Sequence, residues 1–205
     1  MELKVGIDIG ACIGETLYQF ADCDIVYAIE PADQEYEILK EKFKHDKRII
    51  PVQYAISDKE GESMLNCYAN GRFSSFLDFN REGKFYDFLD NNKDIDGFND
   101  LRVVERVKTI RLDTFIEKYN LNNGEIDFIK TDTQGYDLRV IKSLGKYIKN
   151  VKKIQIEIQL QELYKDSPAK KDVIEYMSKN NFKIVDTSYG ESSKEYEEDL
   201  IFEKI

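Results

Sequence analysis

The 205-residue sequence lacks tryptophan and has three prolines, three cysteines and one histidine. Cys12, Cys23 and Cys67 are an odd set without metal-ligand spacing, which excludes a disulfide scaffold and predicts reduced thiols. Cys12 and Cys23 lie in apolar surroundings and are expected to be small buried hydrophobes. The composition and the absence of repeats also exclude collagen and coiled coils.

Long hydrophobic runs are missing as well. No apolar stretch approaches the ~20 residues that a bilayer-spanning helix requires, and Lys4 and Asp8 interrupt the apolar N-terminus, so no signal peptide is predicted. We therefore expect a soluble, cytoplasmic protein without a membrane span. Positive charge is in deficit, with 30 Lys+Arg against 40 Asp+Glu and a net charge of -10. Because each phosphate contact needs a cation, this balance disfavours a nucleic-acid partner.

The length suits one domain, in which strand-like and helical patterns alternate. Strands are predicted at 3–9, 25–30, 49–56, 63–69, 102–112, 126–132, 151–159, 182–186 and 200–205, and helices at 14–20, 33–43, 113–119, 137–147 and 171–180. The β-α-β-α-β start predicts an α/β fold with a right-handed, mostly parallel sheet. The last two strands have no helix between them and must pair antiparallel.

Two polar segments interrupt this pattern. Residues 78–100 are acidic and rich in Asn and Phe, and we interpret them as an insertion, partly helical around 85–89, that is a candidate lid. The aromatic residues around it suit stacking on a sugar ring or packing within the lid itself; they are Phe73, Phe76, Phe79, Phe85, Tyr86 and Phe88. The acidic loop at 191–199 is expected to be a solvated hairpin loop or a substrate contact.

A glycine turn follows the first strand. Asp8, Gly10 and Gly14 form a D-x-G-x-x-x-G pattern, where the glycines allow close approach of the backbone to a ligand. The dinucleotide pattern G-x-G-x-x-G is absent, because Cys12 and Glu15 replace two of its glycines. S-adenosylmethionine fits such a turn, since its carboxylate accepts main-chain N–H groups and its ammonium pairs with Asp8. A tight turn without a ligand is the alternative.

Acidic and apolar residues end the next two strands. Glu30 stands 20 residues after Gly10 and precedes Pro31, a spacing at which a carboxylate accepts both ribose hydroxyls of a nucleotide. The alternative is a solvated acid at a strand end. Ile56 would offer an apolar face to adenine, and Ser57 or Asp58 would meet its exocyclic amine.

The predicted strand 126–132 ends in a charged pair. Lys130 and Asp132 are two residues apart, so both side chains point to one face of the strand. Glu157 is an acid within an apolar strand, where a charge is costly without a partner or a function. These three are the candidate catalytic residues, as a base, as positioning groups, or with Asp132 and Glu157 as ligands of a divalent cation. The alternative is a local ion pair. The sole His45 lies among lysines at a helix end and is expected on the surface.

Taken together, these motifs resemble the FkbM-type S-adenosylmethionine-dependent methyltransferase family. The matching segments, in the family's order, are 7–15, 28–31, 55–58, 111–115, 126–137 and 156–157, of which 126–137 is the most specific. The resemblance implies a class I methyltransferase (Rossmann-like) three-layer sandwich with a mostly parallel seven-stranded sheet and an antiparallel last strand. Cys12 departs from the polar residue that is common in the family, and 78–100 follows no family pattern. Ser74 and Ser75 resemble a family pair to which we assign no role.

The resemblance also implies site residues. Asp8, Gly10 and Gly14 would hold the methionine part of the cofactor, Glu30 the ribose, and Ile56, Ser57 and Asp58 the adenine. The full expected cofactor set is Asp8, Gly10, Ala11, Gly14, Glu15, Thr16, Glu30, Pro31, Ala55, Ile56, Ser57 and Asp58.

The sequence therefore predicts an O-methyltransferase acting on a hydroxyl of a sugar or glycan. Three alternatives stay open: an N-methyltransferase of nucleic acid or protein, a nicotinamide-dependent oxidoreductase, and a non-catalytic domain that keeps the cofactor fold. The N-methyltransferase alternative is disfavoured because no Asn/Asp-Pro-Pro-Tyr/Phe motif follows strand 126–132. The oxidoreductase alternative is disfavoured because G-x-G-x-x-G is absent. Because almost nothing precedes the first strand, we also expect a single domain cut from a longer protein, with fused glycosyltransferase domains as one form. Metal requirement and oligomeric state stay open.

Overall fold

The computed structural model describes residues 3–92, 95–188 and 195–205. The strands are β1 Val5–Ile9, β2 Ile25–Ile29, β3 Ile49–Val52, β4 Ala55–Ile56, β5 Gly61–Tyr68, β6 Leu101–Ile110, β7 Ile126–Thr131, β8 Val151–Gln159, β9 Phe182–Ser188 and β10 Glu197–Lys204. The α-helices are α1 Asp33–Phe43, α2 Lys84–Asn91, α3 Leu112–Lys118, α4 Asp137–Lys142 and α5 Lys170–Lys179. Short 3-10 helices span Leu17–Phe20, Gly71–Phe73 and Gly145–Asn150.

Seven strands form the main sheet in the order β3-β2-β1-β7-β8-β10-β9. β10 is antiparallel to both β8 and β9, whereas β1, β2, β3, β7 and β8 pair in parallel. The predicted fold class, with its antiparallel last strand, is confirmed. The chain builds outward from β1 to β3 and then returns to place β7 on the other side of β1. Ligands of open α/β sheets bind at such a switch point, beyond the carboxyl ends of the strands.

The two faces of the central strands differ in chemistry because side chains alternate along a strand. One face is apolar and packs against α3, α4 and α5, with β7 and β8 contributing Ile129, Ile154 and Ile156. On the opposite face the register places Asp8 beside Lys130 and Lys130 beside Gln155. The polar groups therefore gather on one face of the sheet, above the ends of β1, β7 and β8.

The third predicted strand is wrong in its extent. Segment 49–56 is divided, with β3 ending at Val52 in the main sheet. β4 pairs instead in parallel with Thr109 and Ile110 of β6, in a second sheet of order β4-β6-β5. The predicted extended segments 63–69 and 102–112 form the antiparallel β5–β6 pair of that sheet.

Two predicted helices are also shorter than the sequence pattern indicated. Segment 14–20 keeps only the 3-10 helix Leu17–Phe20, because Gly14 has a φ of +74°. Segment 137–147 is divided into α4 and a 3-10 helix at Gly145, whose φ is +51°. Backbone in the left-handed region cannot continue a right-handed helix.

The segment predicted as an insertion carries α2 and packs through its aromatic side chains. Phe79 stacks on Tyr164 with a ring-centroid distance of 4.9 Å, and Phe85 stacks on Tyr196 at 5.0 Å. Phe79, Phe85 and Tyr86 are buried in this cluster. Most of these rings therefore pack against one another, which was one of the two alternatives.

The remaining sequence predictions concern surface and ends. His45 is exposed, as predicted. β9 continues to Ser188 and β10 begins at Glu197, so the end of the predicted acidic loop 191–199 belongs to a strand. Residues 189–194 lie outside the described part of the chain. In the described ranges no helix has the length and apolar character to cross a membrane.

Candidate active site

A cavity of about 630 Å³ opens at the carboxyl ends of β1, β2 and β7. Segment 70–76 and residues of the turns after β1 and β7 form its walls. Its predicted members are Gly10, Ala11, Glu15, Thr16, Glu30, Pro31, Ala55, Ile56, Lys130, Asp132 and Glu157. The structure thus brings predicted cofactor and catalytic residues from β1, β2, β4, β7 and β8 into one cavity.

Four predicted residues lie outside the cavity lining. Asp8 is fully buried beneath it, and Gly14 packs so closely that a Cβ there would lie 2.5 Å from Phe43 Cε2. Ser57 is buried, and Asp58 accepts a hydrogen bond from the Tyr136 hydroxyl at 2.7 Å. That hydrogen bond is the leading reason why the pKa of Asp58 is lowered.

The N–H groups of the glycine turn donate to main-chain carbonyls of the protein itself. Gly10 and Ala11 both donate to the Ile29 carbonyl at 3.0 Å, and Gly14 donates to the Ala11 carbonyl at 2.7 Å. A Cβ on Gly10 would lie 2.0 Å from the Asp132 carbonyl oxygen, and its φ is +81°. Glycine at position 10 therefore allows the turn after β1 to lie close to the end of β7. The three N–H groups already have acceptors.

Glu30 is a buried carboxyl group at the end of β2, 6% exposed. Its Oε2 accepts the N–H of Cys12 and its Oε1 accepts the N–H of Ala32, both at 2.9 Å. Burial raises the pKa of Glu30 to about 8, although the two N–H donors oppose the shift. Each oxygen keeps a second lone pair with which it can accept from a ligand hydroxyl.

Cys12 differs from the sequence prediction because it is partly exposed at the cavity wall. Its φ of 47° lies in the left-handed region, and its main-chain N–H donates to Glu30 Oε2. Burial, followed by the Glu30 carboxylate, raises the pKa of Cys12 to about 12, so the sulfur stays protonated. Cys23 and Cys67 are buried, and all three cysteines are free thiols.

Lys130 links β1 to the end of β7. Its ammonium is 3% exposed and lies 3.2 Å from Asp132 Oδ2 and 3.9 Å from Asp8 Oδ1. Burial opposes the charge, but Asp132 and Asp8 outweigh it and raise the pKa of Lys130. Burial also raises the pKa of Asp8, which accepts a hydrogen bond from Thr16 Oγ1 at 3.3 Å. Lys130 thus remains an ammonium that orients the Asp132 carboxylate.

Asp132 and Glu157 meet through a third residue, Gln134. The Gln134 amide nitrogen Nε2 donates to Asp132 Oδ1 at 2.8 Å and to Glu157 Oε2 at 3.0 Å. Burial, followed by repulsion from Asp132, raises the pKa of Glu157 well above its usual range. Among the described residues no group of three or more His, Cys, Asp and Glu side chains is arranged to hold a metal ion.

Sequence reasoning missed much of the remaining wall. The missed lining residues include Tyr54, Leu65, Arg72, Thr133, Gln134, Tyr136 and Glu197, whereas Phe73 and Phe76 were named as candidates for stacking and Ser75 was noted without a role. Gln134 and Tyr136 stand within the segment most typical of the family, and that position was the available signal. The 70–76 wall lies between β5 and α2, and its approach to β7 is a long-range contact without a local pattern.

Acidic side chains outnumber basic ones in the cavity lining. The acids are Glu15, Glu30, Asp132, Glu157 and Glu197, of which burial raises the pKa of Glu30 and Glu157, and the bases are Arg72 and Lys130. Lys130 pairs with Asp132, and Arg72 donates to Glu15 Oε2 at 2.9 Å through Nε. The Asp132 side chain is 30% exposed and offers a carboxylate that can accept a proton from a hydroxyl.

Comparison with known proteins gives a family and a fold. The model of the methyltransferase FkbM domain matches residues 8–184. No match was found among curated proteins. The structure is similar to that of the candidate tRNA methyltransferase Sp1610 of Streptococcus pneumoniae in complex with S-adenosylmethionine, with 11% identity, coverage of 100% of this chain and 67% of that one, and a TM-score of 0.52. It is also similar to the magnesium protoporphyrin IX methyltransferase of Synechocystis PCC 6803 with bound S-adenosylmethionine, with 9% identity, coverage of 99% and 70%, and a TM-score of 0.50. At such identities these two likenesses establish the fold alone.

Proposed function

Because the chain belongs to the FkbM methyltransferase family, we propose that it transfers a methyl group from S-adenosylmethionine to a hydroxyl group of a sugar or glycan. The observation that carries this proposal is that one cavity is lined both by Glu30, which follows β2, and by Asp132 and Glu157, which follow β7 and lie in β8. One end suits a nucleoside and the other a hydroxyl acceptor.

The residues at the first end fit the cofactor. Glu30 offers acceptor oxygens to the ribose hydroxyls, and Ala55, Ile56 and Leu65 form an apolar wall for adenine. Asp8 lies buried below the turn, and its Oδ1 has no hydrogen-bond partner. The bound cofactor would supply an electrophilic methyl group on a positively charged sulfur, and acidic walls stabilise such a charge.

The residues at the second end act on the acceptor. An alcohol has a pKa far above 7, so Asp132 would take the hydroxyl proton as the new C–O bond forms. The Lys130 ammonium pairs with the Asp132 carboxylate and holds it in place. Most of the rate enhancement would come from holding the hydroxyl in line with the methyl group.

A neutral sugar suits this end better than a polyanion. Lys130 pairs with Asp132 and Arg72 pairs with Glu15, so the described cavity lining offers a phosphate-rich acceptor no unpaired cation. Phe73, Phe76 and Tyr136 offer aromatic faces on which a sugar ring can stack.

Transfer of label from methyl-labelled S-adenosylmethionine tests the proposal. Neutral sugars and oligosaccharides, amines, a protein mixture and tRNA are offered in parallel as acceptors. We expect label in a sugar methyl ether, and a loss of turnover on the order of 10²-fold or more in Asp132→Asn with unchanged cofactor binding. Label found only in tRNA or protein would overturn the sugar as acceptor in favour of that class. Full turnover in Asp132→Asn would show that this carboxylate does not take part in the reaction.

A further inference from the structure

The backbone of Gln134 is unusual for a residue with a side chain. Its φ is +54°, in the left-handed region, and Gly135 follows with a φ of +85°. A side chain is strained in this conformation relative to the right-handed one, because its Cβ crowds the following carbonyl oxygen. Such a conformation at a cavity wall calls for a functional reason.

The Gln134 side chain lies between two acidic side chains. Nε2 has two N–H groups, and they match the two oxygens it meets, Asp132 Oδ1 at 2.8 Å and Glu157 Oε2 at 3.0 Å. Without a donor between them, a protonated Glu157 would donate directly to Asp132 and would occupy a lone pair that the acceptor hydroxyl needs.

The other polar atoms of Gln134 hold the amide in this orientation. The Tyr164 hydroxyl lies 3.1 Å from Gln134 Oε1 and 2.7 Å from the Phe73 carbonyl, and its one proton is shared between them. Ser75 Oγ donates to the Gln134 main-chain carbonyl at 2.8 Å. Tyr164 and Ser75 are both buried, so Gln134 connects the acid pair to the 70–76 wall through side chains with little freedom.

We propose that Gln134 is a positioning residue for methyl transfer, whose amide keeps the Asp132 and Glu157 carboxyl groups apart and turns Asp132 toward the acceptor. This inference rests on the proposed function, and it assigns to Gln134 a role that acts through Asp132. Gln134 itself is not required to touch the acceptor.

The charge state of Glu157 depends on groups from several elements. The titratable groups that face it are Asp132 and Lys130 of β7, Asp137 of α4, Tyr164, and Glu197 and Asp199 of β10. Gln134 does not titrate, and its amide donates to Glu157 directly. Its removal should therefore change the titration of Glu157 without changing any charge.

Gln134→Met tests the inference, because methionine has nearly the same length and no hydrogen-bonding amide. We expect kcat to fall on the order of 10²-fold, as for a misplaced catalytic group, while the KM and the binding of S-adenosylhomocysteine change by less than about threefold. Gln53→Met is the matched control, since the Gln53 side chain is exposed and is not part of the cavity lining. Unchanged kcat in a folded Gln134→Met protein would overturn the proposal.

A second readout does not depend on turnover. In protein labelled at the glutamate carboxyl carbons, the Glu157 resonance is assigned with Glu157→Gln and titrated by NMR. In Gln134→Met its midpoint should move to higher pH by about one pH unit, because a donor to the charged form is lost. An unmoved midpoint would overturn the inference even if the wild-type protein methylated no sugar, and a moved midpoint would uphold the geometry while the acceptor is revised.

If Gln134→Met does not fold, Tyr164→Phe supplies the same comparison. It removes the hydroxyl that orients the amide and keeps the ring stacked on Phe79. A several-fold loss of kcat with a smaller displacement of the Glu157 midpoint in the same direction would support the proposal, and wild-type values of both would contradict it.

Discussion

Glu30 Oε2 accepts the main-chain N–H of Cys12 at 2.9 Å and so joins the end of β2 to the turn after β1. The acid that we assign to the ribose also fixes the loop beside it. A change at Glu30 should therefore affect both the binding of the ligand and the shape of the turn.

Glu30→Gln should weaken the binding of S-adenosylhomocysteine about 10- to 100-fold. The substitution turns an acceptor oxygen into an N–H donor that faces the N–H groups of Cys12 or Ala32, and hydrogen bonds to a charged acceptor contribute about 1.5–3 kcal/mol. Calorimetry measures the effect. Glu37→Gln on the exposed side of α1 is the control, and equal affinities of the two variants would contradict the assignment.

Cofactor binding should release a proton near pH 7. In the free protein the pKa of Glu30 is about 8, so the carboxyl group is mostly protonated there. Ribose hydroxyls donate to the ionised form, which lowers the pKa and expels the proton. Titration of S-adenosylhomocysteine in two buffers of different ionisation enthalpy measures the release. We expect up to one proton in wild type and less in Glu30→Gln, whereas a buffer-independent heat in wild type would exclude the linkage.

The same group makes the stability of the free protein depend on pH. Since the pKa of Glu30 rises from 4.5 to about 8 on folding, its contribution is fully present below pH 4.5 and is lost as the pH rises through about 8. The free energy of unfolding of wild type should therefore fall relative to that of Glu30→Gln, by at most about 1.4 kcal/mol per pH unit in that window. Urea unfolding at several pH values measures the difference, and parallel curves would refute it.

Gly10→Ala should destabilise the protein more than Gly61→Ala. Both glycines have positive φ, so both substitutions strain the backbone, but only at Gly10 would the new Cβ meet the Asp132 carbonyl, at 2.0 Å. At Gly61 the Cβ would meet no atom within 4 Å. Forced close contact adds about 1–3 kcal/mol to the strain. Urea unfolding compares the two, and equal losses would mean that the turn tolerates displacement from β7.

Local patterns in the sequence predicted most of the sheet and the strand ends that form the cavity. Gly10, Glu30 and Lys130 each follow or end an apolar run, and parallel strands bring such ends together. The division at Val52 was not predictable in this way, since β4 leaves the main sheet to pair with Thr109 and Ile110, more than 50 residues away.

The site was predicted less completely than the fold, because its hydrogen bonds are long-range. The N–H groups of Gly10 and Ala11 were expected to be free for a ligand, but they donate to the Ile29 carbonyl. The bridging role of Gln134 depends on a left-handed backbone and on Glu157, 23 residues later. Neither feature leaves a periodic or compositional signal.

Calorimetry of the wild-type protein with S-adenosylhomocysteine, and separately with NADH, is the first test of cofactor binding. We expect micromolar affinity for S-adenosylhomocysteine and no heat with NADH, since we assign Glu30 and the apolar wall beside it to this nucleoside. Binding of NADH alone, or of neither compound, would contradict the proposed methyltransferase function.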